Sequence, residues 1–124
     1  ILSHRFRDHS QQPQTLEAQV LFDADKLDAI GAVGVTRAIA YAVLAGQPPY
    51  ASPSAQFRKS DEKEIGEPHS AYHEYIYKLS RLKDRMYTRS GRRAAAERHQ
   101  FMEQFFHKLE DEMQNSLNSM SEEE

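Results

Sequence analysis

The 124-residue chain has no cysteine, so disulfide frameworks and thiolate metal sites are excluded. No apolar run approaches the roughly 20 residues of a membrane-spanning helix, and nothing has the layout of a signal peptide. A dominant charge is missing too. The 16 Lys+Arg and 19 Asp+Glu leave a net −3, which selects no partner by itself. There is no internal repeat and no strand-type alternation of apolar and polar residues. There is also no initiator methionine. The chain opens Ile1-Leu2-Ser3-His4, and the expectation is a piece cut from a longer polypeptide. With 39% hydrophobic and 28% charged residues, one small cytoplasmic globular domain is expected.

What is present reads as helix. Thr15 is a candidate N-cap with Glu17 in the first turn. Leu16, Val20, Leu21, Ala24, Leu27 and Ile30 follow a helical period and are expected to face a core. Gly31 and Gly34 bracket a predicted bend, after which a second helix runs from about Val35 to Ala45, with Val35, Ile39, Val43 and Leu44 inward. Residues 47 to 69 hold four of the five prolines and a run of charge, the mark of a long functional or mobile connection. Ser70 can cap a third helix with the stripe Tyr72, Tyr75, Ile76, Leu79, Leu82 and Met86. A hinge at Thr88 to Gly91 precedes a fourth, from near Arg92 to Met113. The predicted class is all-α, an incomplete bundle of about four main helices over 1–115, with 116–124 an acidic, disordered tail.

The chemistry-bearing stretch is Asp23-Ala24-Asp25-Lys26-Leu27-Asp28, three aspartates within six residues. Asp25 and Asp28 are spaced i, i+3 and share a helical face. Asp23 lies about 160–200° away from Asp25 at helical pitch, so the three cannot converge. Carboxylates beside an apolar stripe are costly unless a cation or hydrogen bonds satisfy them, and a divalent metal would do so. The bland alternative is a solvated face or a salt-bridge pair, which is what two acids at this spacing most often are.

The string from Glu17 to Arg37, with Asp23-Ala24-Asp25-Lys26-Leu27-Asp28-Ala29-Ile30-Gly31-Ala32 at its centre, resembles the helix pair that ends the HD motif in single-domain bacterial hydrolases of the HD superfamily. Weaker matches continue through His4-Arg5-Phe6, Ser70-Ala71-Tyr72-His73, Lys78-Leu79, Leu82 to Thr88 and Arg98 to Met102. The resemblance implies a metal-dependent phosphohydrolase of the pyrophosphatase or nucleotidase type, acting on a nucleotide with Mn²⁺ or Mg²⁺, or Fe. It makes Asp25 the last metal ligand and Asp28 a catalytic acid lining the same cavity. His4, Lys26 and Lys78 become candidate substrate contacts. The chain departs from the family in lacking a His-Asp doublet, so three of four expected ligands are missing and activity alone is not expected. A missing N-terminal segment, or another chain, would supply them; a homo-oligomer is a separate partner expectation.

Two other features invite a rival reading. His69 and His73 are spaced i, i+4, as zinc ligands can be, but no H-E-x-x-H is present. Eight of the bases lie between Lys78 and Arg98, against two acids, Asp84 and Glu97. A non-catalytic helical module binding nucleic acid or a protein could use that hairpin, with a salt-sensitive affinity in the first case. A solvated helix surface explains most of these bases equally well, so nucleic acid and membrane are not the expected partners.

Overall fold

A computed structural model of the chain describes residues 13–123, with side chains from 13 to 116. These residues form α1 (Leu16–Leu27), α2 (Gly31–Leu44), α3 (Ala55–Ser60), α4 (Ala71–Tyr77), a 3-10 helix (Leu79–Arg85) and α5 (Arg89–Glu123). No strand occurs among the described residues, and the class is all-α. No single described helix is long and apolar enough to cross a membrane.

Capping chemistry sets most of the starts. Thr15 takes the α1 N-cap, its hydroxyl accepting from the Ala18 N–H at 3.0 Å. Ser54 and Ser70 do the same for α3 and α4, accepting from Phe57 and His73. The bend falls just ahead of Gly31 and Gly34, the pair that brackets it in the sequence reading. The chain turns by 62° between α1 and α2, and Gly31 and Gly34 already belong to α2. Gly34 serves close approach: a Cβ there would sit 2.3 Å from the Ala29 carbonyl oxygen and 3.0 Å from the Met102 methyl. The predicted third helix breaks at Lys78 into α4 and the 3-10 helix. Its buried positions, Tyr72, Tyr75, Leu79, Leu82 and Met86, step by three and four, so apolar spacing does not separate the two helix types.

α5, 35 residues long, is the spine, and α1, α2 and the 3-10 helix pack on it. It starts at Arg89, ahead of the predicted start, and stays helical through 116–123, the segment read from sequence as a disordered tail. Phe106, Met102 and Ala95 on its inner face are fully buried. Tyr75 stacks on Phe106 at 4.6 Å between centroids, and Tyr50 lies 5.2 Å from Tyr72. Within 47–69, α3 plants the buried Phe57 against His73 at 4.7 Å.

α1 is rotated from the expectation. The residues it buries are Ala18, Phe22 and Asp23, whereas Leu16, Val20 and Leu21 are 70%, 50% and 44% exposed. On α2, Val35 is buried, but Val43 and Leu44 are open. The periodicity found a real apolar face. The described residues cover the other one.

Candidate functional site

Two helix ends and a cleft make up the candidate site. At the C-terminal end of α1, the carbonyls left without intrahelical partners are met by two guanidinium groups. Arg98, from α5, donates to the Leu27 carbonyl, and Arg37, from α2, donates to that of Asp28 at 3.1 Å. Cations suit this negative end of the helix dipole. The Asp28 carboxylate lies 3.9 Å from the Arg98 guanidinium, with its side chain 65% exposed. The Asp25 side chain is 67% exposed and reaches only the Lys26 ammonium, at 3.6 Å. Lys26 itself folds back over the Phe22 ring. Asp25 and Asp28 thus stand on the open side of α1, beside Leu21, which is exposed as well.

The carboxylate that the fold buries is Asp23, 2% exposed. It accepts from the backbone N–H groups of Tyr87 and Thr88 at 2.9 and 2.8 Å and from the Thr88 hydroxyl. That hydroxyl also accepts from the Gly91 N–H at 3.0 Å, capping α5. A Cβ at Gly91 would lie 2.2 Å from the Asp23 carboxylate, so only glycine fits. Hydrogen bonds, not a cation, satisfy the acid on the buried side of α1, and Asp23 is a structural latch between α1 and α5.

A cleft of about 410 Å³ opens between α2 and α4. Small residues of α2 (Gly34, Ala38, Ala42) line one wall, Tyr41 and Arg37 stand at its edge, and Ser70, Glu74 and Lys78 come from the α4 side. Arg37 belongs to both the cleft and the end of α1, making the two contiguous. Of the cleft residues, only Lys78 is a candidate substrate contact from the sequence. The signal for Arg37 was its helical register with Gly34, Ala38 and Tyr41, one turn apart.

A buried strap holds the start of α4. The fully buried His73 ring contacts the Ser70 hydroxyl through Nδ1 and the Glu67 carboxylate through Nε2, both at 2.7 Å. Glu67 also accepts from the backbone N–H groups of Ser54 and Glu64. Hydrogen bonding from Ser54, with help from His73 and Glu64, pulls the Glu67 carboxyl down to about 2. Burial pushes the His73 imidazole below its ordinary value, outweighing the pull of Glu67. With both His73 nitrogens engaged, no zinc pair forms with His69, whose Nε2 meets Glu74 at 2.9 Å.

The basic hairpin is largely spent internally. Arg81 forms a two-point pair with Asp61, Arg92 caps the Tyr87 carbonyl, and Arg85 lies over the Phe22 ring. His4 lies outside the described residues. No group of three or more His, Asp or Glu side chains converges as a metal site among the described residues. Asp25 by itself cannot hold a metal; a full ligand set would need further groups from outside the described residues.

No family model matches the chain. YpgQ of Bacillus subtilis is 40% identical over 111 residues, which cover 87% of this chain and 47% of that protein. The crystal structure of Bacillus subtilis YpgQ in complex with ADP matches at 37% identity with a TM-score of 0.60, over 82% of this chain and 47% of that one. An HD-superfamily hydrolase from Bacillus thuringiensis matches at 30% identity with a TM-score of 0.64, over 81% and 47%. The chain spans about half the length of these relatives. Over that span it has the all-helical fold of an HD-superfamily hydrolase.

Proposed function

We propose that this chain supplies the nucleotide cleft and one metal-binding carboxylate of a phosphohydrolase domain whose remaining ligands lie outside the described residues. The observation that carries the reading is the cleft between α2 and α4, where Arg37 and Lys78 offer two cations beside the end of α1 that bears Asp28. Paired Arg and Lys groups neutralise phosphate oxygens, Arg with fixed planar geometry and Lys as a mobile point charge. The YpgQ complex with ADP, at 37% identity, supports a nucleotide as the ligand.

Each candidate residue then has a part. Lys78 and Arg37 bind phosphate, with Lys26 a further cation nearby. Asp25 serves as a ligand to Mn²⁺ or Mg²⁺, and Asp28 orients Arg98 and lines the same open face. His4 is a further substrate contact in this reading.

Calorimetric titration of ADP with Mn²⁺ into the chain tests it. Binding should weaken about tenfold in Lys78→Ala, in line with the loss of one charge-assisted contact. ADP affinity unchanged from the parent chain in both Lys78→Ala and Arg37→Ala would overturn the cleft assignment. In the longer polypeptide, Asp25→Ala should abolish metal-dependent turnover; full activity in that variant removes Asp25 from the site. The rival nucleic-acid reading is disfavoured by the internal pairing of Arg81 and Arg92.

A further inference from the structure

The outer flank of α5 carries a pattern that the core uses only in part, through Phe105 and Leu109. Phe101, Gln104, Phe105 and Lys108 stand at i, i+3, i+4 and i+7, with Leu109 and Glu112 beside them, around a groove of about 300 Å³ that opens to solvent. Four residues at this spacing form the hole that receives a side chain from a facing helix. Phe101 is 48% exposed. Along the same flank the order is Arg93, Glu97, Phe101, Gln104, Lys108, Glu112, all of them exposed. None of these four charged groups has an ion-pair partner among the described residues.

The order of charges is self-complementary in one direction only. Read from the N-terminal side it is positive, negative, aromatic, then polar, positive, negative. A second copy lying antiparallel, with Phe101 opposite Gln104, brings Arg93 opposite Glu112 and Glu97 opposite Lys108, twice each about a two-fold axis. A parallel copy in register would set every charge against itself. Two-fold self-pairing of one patch is the commonest form of homodimer contact.

We infer that α5 is the interface of an antiparallel homodimer, built on Phe101 seated in the Phe101–Lys108 groove of the second copy and ordered by the Arg93–Glu112 and Glu97–Lys108 pairs. The aromatic contacts supply affinity, and the flanking charges set direction and register. Rim ion pairs of this kind weaken with salt, while the aromatic contact persists.

Sedimentation equilibrium of the chain over a range of concentrations should show a monomer–dimer equilibrium. Phe101→Glu should raise the dissociation constant roughly tenfold or more. Circular dichroism melts of that variant should match the parent when both are held below the dimer dissociation constant, since the half-exposed side chain lies outside the core. Arg93→Glu and Glu112→Arg should each weaken the dimer, and the two together should restore it, which mere loss of folding would not allow.

The absence of cysteine permits a direct reading of register. Mixed Glu97→Cys and Lys108→Cys chains should form a disulfide with each other. Neither should form one with itself, because equivalent positions would be about 16 Å apart at 1.5 Å per residue. A chain that stays monomeric at every concentration overturns the proposal. So does a dimer indifferent to Phe101→Glu, or a Glu97→Cys chain that links to its own kind.

Discussion

The two faces of the α1–α2 pair differ in a way that composition does not show. One face closes on α5 through Ile30 and Val35 and on Tyr87, just ahead of α5, through Phe22, each nearly or fully buried. The other, of similar apolar character, leaves Leu16, Val20, Val43 and Leu44 between 50% and 85% exposed. A helix that is apolar on two sides is one built to sit inside a larger body. The acids divide the same way. Asp23 goes to the closed face, where backbone donors satisfy it, and Asp25 and Asp28 go to the open face.

The sharpest contrast between the faces is in stability. Phe106→Ala, on the helix that closes the covered side, should cost about 3–5 kcal/mol in urea unfolding. An equal loss from Leu44→Ala would mean that the open face is covered after all. Asp23→Ala comes next, at about 2–3 kcal/mol, since it strands two buried N–H donors. Asp25→Ala should stay within about 0.5 kcal/mol, as surface changes do; similar costs for the two would erase the distinction between latch and open acid.

Acid adds a smaller effect, seated in the strap at the start of α4. Folded Glu67 titrates at about 2 against 4.5, and folded His73 below 6.5. Both folded values lie below the unfolded ones, so the unfolded chain takes up more protons as pH falls. Melting temperature should hold above pH 6.5, decline as His73 is forced to charge, and decline again from 4.5 toward 2. A melting temperature that rises on going from pH 7 to pH 5 contradicts the burial of a neutral His73. Smallest of all, Leu16→Ser and Leu44→Ser should change unfolding by no more than about 0.5 kcal/mol while improving solubility.

How much of this could be read from the chain follows from what each signal measures. The Thr15 and Ser70 caps were legible because a hydroxyl before a helical run has one favourable use. The all-helical class was legible from period alone. The rotation of α1 was not, because Leu16, Val20 and Leu21 announce an apolar face without saying what covers it. Short α3 gave no period to detect, and its anchor, Phe57, looked like one apolar residue in a charged stretch. The role of Asp23 is not legible locally because its partners are backbone groups 64 and 65 positions away, which no local pattern encodes. The cleft depended on α4 reaching α2, a tertiary fact.

That long reach from Asp23 to Thr88 encloses the exposed stretch around Lys63 within a loop whose two ends are already fastened together. A single tryptic nick after Lys63 would therefore leave two fragments, one bearing α1 to α3 and the other α4 and α5, that elute as one species under native conditions. They would separate only in denaturant.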